Sequence, residues 1–352
     1  MKGINITSSS NTLTIDGDIT VNSSVNQRYA LNIDGGGNNN IINMTGNIST
    51  ISIDGAINLN GIRIGRNVSS NTINVTGNVS TTGNNSSGIL INEGGDNNNV
   101  TLFGNITNSG SNSRGVRITG QNSSNFGINN HITVNGDIST NSAHAVMING
   151  YAHDSYIEVN GNVSTSATSS NATIAFNSGA GDNLVVIDGN VTQLANQAAI
   201  KFGANGADTS HDNTVSVSGN ITSAGVGIRF NNSDNNEIFV SGNIESATSA
   251  IYADSDSDNN TVYLDRNSRI EGAIRNDGTG NTLLFTGWTP IEPDEIDGDV
   301  DENEVISGQS QYGLATSANY TVSGTTPWVV QANVNRRVNK ANALPYQRIF
   351  RT

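Results

Sequence analysis

The chain reads as an all-β protein, a single-stranded parallel β-helix of about ten coils built on a repeat of roughly 28 residues. Three observations predict it. The first is a corner of the form Gly-Asn/Asp-Ile/Val. It recurs at Gly17, Gly46, Gly77, Gly104, Gly136, Gly161, Gly189, Gly219 and Gly242, with a degenerate copy at Gly272. Successive corner glycines lie 29, 31, 27, 32, 25, 28, 30, 23 and 30 residues apart, a solenoid spacing with tolerated insertions. The second is that the apolar runs between corners are short, β-branched and alternating, as in Ile132-Thr133-Val134 and Val215-Ser216-Val217. That is the period of a strand with one buried face. The third is the absence of a 3.6-residue period in a chain rich in Asn, Ser, Thr and Gly, all poor helix formers.

The unit is clearest in Thr72 to Asp96, TINVTGNVSTTGNNSSGILINEGGD. Ile73, Val75 and Val79 share one parity, and Gly77 lets the backbone bend between them. After a polar loop, Gly88-Ile89-Leu90-Ile91 forms another strand, and Gly94 to Asn99 turns the chain into the next copy. Equivalent runs occur at Ile62-Arg63-Ile64, Val116-Arg117-Ile118, Val146-Met147-Ile148 and Ile228-Arg229-Phe230. Three short strands per coil are expected, with rungs about 4.8 Å apart. The solenoid occupies residues 1–285, opening with Ile4-Asn5-Ile6 and Leu13-Thr14-Ile15. Most coils carry Asn or Asp, often as a doublet, just before the first strand: Asn39-Asn40, Asn71, Asn98-Asn99, Asn129-Asn130, Asp182-Asn183, Asp212-Asn213, Asn235-Asn236, Asn259-Asn260 and Asn281. Asn accepts left-handed backbone angles, and in a stack its amides bond from rung to rung. A structural asparagine ladder is the expectation.

After Phe285 the pattern changes. Residues 286–352 hold an acidic run at 292–304, both tryptophans and a basic end, and are read as a cap, linker or assembly segment. Tyr320, Val322, Trp328, Arg336 and Arg337 are its candidate assembly residues. Strand addition at an open sheet edge would be their route.

Composition narrows the function. The net charge of −14 disfavours nucleic acid as a partner. Cys is absent, which removes disulfides and thiolate metal sites and suits a chain that crosses a periplasm unfolded. No apolar run reaches the length of a membrane-spanning helix. Met1 to Asn5 lacks the apolar core of a signal peptide, so an exported chain would have lost its leader or come from a longer precursor. Aromatic residues are only 5%, few for a sugar-stacking groove, and no paired carboxylates emerge among Asp16, Asp34, Asp54, Asp188 and Asp265. A non-enzymatic protein is expected; a polysaccharide lyase or hydrolase is the alternative.

Four further features carry two readings each. His131, His144, His153 and His211 read as solvated loop residues, with His144 and His153 near Tyr151 and Asp154 as a metal or dyad alternative. Arg63, Arg117 and Arg229 share one outward strand position, taken by Leu90 and Met147 in other coils. They read as solvated residues that discourage lateral association; an anionic glycan or a neighbouring molecule is the alternative. Asp254, Asp256 and Asp258 read as an acidic loop, with a calcium site as the alternative; no other cofactor is expected. Asn47, Asn78, Asn105, Asn162, Asn190 and Asn220 match the N-glycosylation pattern, but the repeat explains their recurrence.

At GNVSTTGNNSSGILI and GNITSAGVGIRF the chain resembles the passenger domains of bacterial autotransporters and related β-helical surface proteins, over residues 4–285. The resemblance implies an exported rod at or beyond the bacterial cell surface, without the family's membrane barrel, and it carries over no catalytic residue. The expected function is an extracellular structural or adhesive rod, with copies of itself or cell-surface glycans as partners and able to assemble through its ends.

Overall fold

A computed structural model describes residues 3–286, apart from 122–126, 169–170, 204–208 and 266–267, together with three short strands at 304–306, 322–323 and 328–332. Among the described residues every element is a strand, and the chain winds as a parallel β-solenoid of about ten turns. No helix among them is long and apolar enough to cross a membrane.

Each typical turn has three strands, one per face. The first face stacks Thr12–Asp16, Ile41–Thr45, Thr72–Thr76, Asn99–Phe103 and their successors to Thr282–Thr286, all parallel and in register. The second follows the glycine corner, as at Ile48–Ser52 and Val79–Thr81. The third holds Ile62–Ile64, Ser87–Ile91, Arg114–Thr119 and their equivalents. At the C-terminal end the second and third faces merge into continuous strands, Ile244–Ala253 and Ile270–Asn276, with a register shift between Glu245 and Ile251. The shortest repeat ends at Gly242, just before this merger.

The core is a set of columns. Inward residues such as Ile73, Val100 and Ile132 on the first face, Val79 and Ile106 on the second, and Ile89 and Val116 on the third are fully buried. On the third face Phe176, Phe202 and Phe230 stack with ring centroids 5.0 and 5.1 Å apart and nearly parallel planes. Like residues at like positions pack because each rung presents the same shape to the next.

The corner glycines are required by the stack rather than by the bend alone. At Gly46, Gly77, Gly104 and Gly136 φ lies between +139° and +159°, and a Cβ would collide with the carbonyl oxygen of the corner glycine one turn earlier. Gly17, on the first turn, has φ of +127° but nothing within 4 Å of such a Cβ.

The asparagine ladder is present and buried. Asn40 donates its backbone N–H (2.9 Å) and its Nδ2 (3.0 Å) to Oδ1 of Asn71. Asn71 does the same to Asn98, Asn183 to Asn213, Asn213 to Asn236, Asn236 to Asn260 and Asn260 to Asn281. The residue before each ladder member has positive φ, among them Asn39, Ser70, Asn97, Asn129, Asp182, Asp212, Asn235 and Asn259. The doublets in the sequence thus divide two tasks: the first residue makes the left-handed turn and the second bonds along the stack. Ser155 interrupts the ladder, its Oγ accepting from the Asn130 N–H at 3.4 Å.

Beyond the last full turn, Trp328–Ala332 adds in parallel to Thr282–Phe285, and Val322 pairs with Ile274. Glu304–Ile306 then adds antiparallel to Trp328–Ala332. Val322 and Trp328, expected as assembly residues, therefore pair within the molecule. Tyr320, Arg336 and Arg337 lie outside the described residues, as does the acidic run up to Asn303.

Candidate functional site

The middle residue of each third-face strand points outward, and the parallel register stacks these residues into one column. From the N-terminal end it reads Asn5, Asn32, Arg63, Leu90, Arg117, Met147, Ala175, Lys201, Arg229, Tyr252, Arg275. Arg114, at the start of its own strand, stands beside Arg117. Nine of the described residues are Lys or Arg, and six of them lie on this face, so most of the positive charge among the described residues is gathered along one face.

The column is not freely solvated. Leu90 is 8%, Met147 7% and Ala175 1% exposed, and Arg63, Arg114, Arg117, Lys201 and Arg229 are half-buried. Ala172, Ala175, Ala198 and the partly buried Val226 form an apolar cluster of their own outside the core. Loss of water lowers the pKa of Arg114 to about 10 and also lowers those of Arg117 and Lys201. A charge kept from water is costly unless a counter-charge or a set of hydrogen bonds replaces the solvent.

The two ends of the stripe have their counter-charges. Arg63 Nη1 lies 2.6 Å from Asp34 Oδ2, and Arg275 Nη2 lies 2.6 Å from Asp277 Oδ2. In the centre no carboxylate of the described residues comes within ion-pair distance, and Glu93 acts on Arg117 and Asp254 on Lys201 only from further away. Arg117 Nε donates to Asn149 Oδ1 at 3.4 Å, and Arg229 Nη2 donates to Asn231 Oδ1 at 3.0 Å. Arg114 donates to the carbonyl (2.7 Å) and Oδ1 (3.2 Å) of Asn112. Among the described residues no carboxylate forms an ion pair with Arg114, Arg117, Lys201 or Arg229, and the buried Nε atoms of Arg114 and Arg229 have no hydrogen-bond partner. Neutral amides orient these cations without cancelling their charge. The expectation of solvated arginines is corrected here: a neighbouring rung on each side removes water that an isolated strand would leave.

The histidines also depart from expectation. His144 is 4% exposed and its Nδ1 donates to the Ala172 carbonyl at 2.8 Å. Burial, reinforced by Arg114, Lys201 and Arg117, lowers its pKa to about 4 despite that hydrogen bond. It is a buried neutral residue of the loop between Ile138–Thr140 and Val146–Asn149, not a solvated one. His153 meets His211 instead of His144: their ring centroids are 5.7 Å apart across Gly181. Asp182 and Asp212 each approach one of these rings, at 3.5 and 2.9 Å. His131 meets Tyr156 edge to face.

The acidic loop is spent on turns. Asp254 Oδ1 accepts from Asn232 N–H (3.1 Å) and Ser257 Oγ (2.7 Å), and Asp258 Oδ1 accepts from Thr279 N–H (2.6 Å) and Oγ1 (2.7 Å). Asp256 meets Ser255 Oγ at 3.4 Å. The three carboxylates are not brought together, and among the described residues no three His, Asp or Glu side chains converge as metal ligands would.

The acceptor-like triplets prove to be a second ladder, on the surface at the glycine corner. Asn78 donates its N–H to Asn47 Oδ1 (2.9 Å), Asn105 to Asn78 (2.9 Å), Asp137 to Asn105 (2.8 Å), Asn162 to Asp137 (2.7 Å) and Asn220 to Asn190 (2.8 Å). It runs in the direction opposite to the buried ladder.

No protein-family model, curated protein or solved structure matches the chain.

Proposed function

We propose that the chain is a non-enzymatic, extracellular adhesive rod, displayed at a bacterial surface, which holds a linear acidic glycan along its third face. The observation that carries this reading is the row of half-buried cations, Arg114, Arg117, Lys201 and Arg229, the three arginines held by amides and backbone and none of the four in an ion pair with a carboxylate among the described residues. A polymer bearing anions restores the interactions that burial removed, and it does so at several points at once. Individually weak contacts then add up along the rod. The file is one residue wide, which suits a single extended chain rather than a duplex. The negative charge elsewhere repels nucleic acid and confines a polyanion to this line. The polar Asn, Ser and Thr that border the stripe suit hydroxyl groups.

Titration calorimetry of the chain with acidic and neutral polysaccharides tests the reading. Binding is expected for the acidic polymers only, weakening with added salt. Arg117→Gln and Arg229→Gln are each expected to weaken it about 10-fold or more, since a hydrogen bond to a charged group contributes about 1.5–3 kcal/mol. The polymer should be recovered at its original length. Equal binding of neutral polymers, or unchanged affinity in both variants, refutes the site.

A further inference from the structure

We infer that the ligand is an alternating glycan, in which each acidic sugar is followed by a neutral one; the inference rests on the third face being the binding surface. The register carries it. Counting rungs along the outward column, Arg63, Arg117, Arg229 and Arg275 all fall on rungs of one parity, and Leu90, Met147 and Tyr252 fall on the other. The single exchange is at the centre, where Ala175 occupies a cation rung and Lys201 the next. Ala175 is small, and the four-carbon stem of a lysine one rung away can span it and restore a cation in phase.

Apart from that exchange cations repeat every two rungs, about 9.6 Å at about 4.8 Å per rung. A sugar in an extended chain advances by about one rung. The pattern asks for one anion per two sugars, with the sugar between them laid on Leu90, Met147 or Tyr252. Leu90 and Met147 suit the C–H face of a neutral ring. Tyr252 has guanidinium groups on both sides, Arg229 at 5.5 Å and Arg275 at 5.1 Å from its ring centroid, so its position in the file is held by the two flanking cations. A polymer charged at every residue would have to set carboxylates against the apolar rungs, where they lose water and gain no partner. The alternation thus selects between acidic glycans as well as for charge.

The test uses three probes of matched chain length at one ionic strength: hyaluronan, in which glucuronate alternates with a neutral amino sugar; polygalacturonate, charged at every residue; and inorganic polyphosphate. The wild-type chain is expected to bind hyaluronan at least 10-fold more tightly than polygalacturonate. Leu90→Lys together with Met147→Lys fills two apolar rungs with cations, at positions where neighbouring turns already carry Arg or Lys, and should reverse the preference. Equal wild-type affinity for the two glycans overturns the alternation, as does a double variant that gains equally for all three probes. Tightest binding to polyphosphate overturns it in favour of charge alone. Wild-type chain that binds none of the three removes the binding stripe itself, and the alternation with it. The wild-type comparison stands whether or not the double variant folds.

Discussion

Replacing Asn98 with alanine tests whether the buried ladder holds the solenoid together. Asn98 is 1% exposed, and its side chain makes four hydrogen bonds. Oδ1 accepts the Asn71 N–H and Nδ2, both at 3.1 Å; Nδ2 donates to the Val68 carbonyl at 2.9 Å and to Asn130 Oδ1 at 3.2 Å. Alanine removes all four. Asn71 Nδ2 keeps the Ser69 carbonyl, and Asn130 Oδ1 keeps the Asn98 N–H, but the Asn71 N–H is left buried without an acceptor. An orphaned buried donor costs about 1–3 kcal/mol and each of the three other lost bonds about 1 kcal/mol, so a loss of about 4–6 kcal/mol is expected. Asn105, in the surface ladder, is the internal control. It is exposed, and water can replace the acceptor that Asp137 loses, so Asn105→Ala should cost under about 1 kcal/mol. Ser155→Asn should act in the opposite sense, because an amide there closes the gap in the ladder; a gain of about 1 kcal/mol is expected. Guanidinium denaturation followed by far-ultraviolet circular dichroism gives the three values, compared at equal m because a repeat protein can lose cooperativity. If Asn98→Ala and Asn105→Ala lie within about 0.5 kcal/mol of each other, burial is not what makes the ladder matter.

The corner glycines and His144 give two further predictions. Gly104→Ala should destabilise by several kcal/mol more than Gly17→Ala, on the scale of about 1–3 kcal/mol for backbone strain alone at Gly17; the same denaturation assay reads the difference, and equal losses would mean that the stacked carbonyl is irrelevant. For His144 the folded pKa of about 4 lies below the ordinary 6.5, so the unfolded chain binds more protons between those values. Its contribution to stability is complete above pH 6.5, declines as pH falls below it and is fully lost below about pH 4, a change of roughly 3 kcal/mol. The stability difference between wild type and His144→Gln should therefore shift between pH 7 and pH 4, and a constant difference would place His144 in water.

Period and composition sufficed for the fold class, the turn spacing, the parity of buried residues and the asparagine column. These are properties of each repeat by itself: alternation assigns a side chain to the inside or the outside whatever the neighbouring turns do. Apart from the rung-to-rung bonds of that column, what one turn does to the next was not legible. The repeat length varies from 23 to 32 residues, and only the folded register shows that these insertions leave the strands aligned. That alignment places each glycine carbonyl where the next Cβ would stand, and it sets the surface ladder antiparallel in sense to the buried one. It brings His144 against Ala172, 28 residues away, and so turns an apparent loop histidine into a buried neutral one. It also puts four arginines in phase and strips water from three of them, Arg63, Arg117 and Arg229, while Arg275 stays exposed. From the sequence, Arg63, Arg117 and Arg229 were visible as equivalent outward positions, while Lys201, Tyr252 and Arg275 were not, because membership of the column is decided by contacts between turns. Sequence alone determined what each rung is; stacking decided what each rung meets, and the candidate site consists of those meetings.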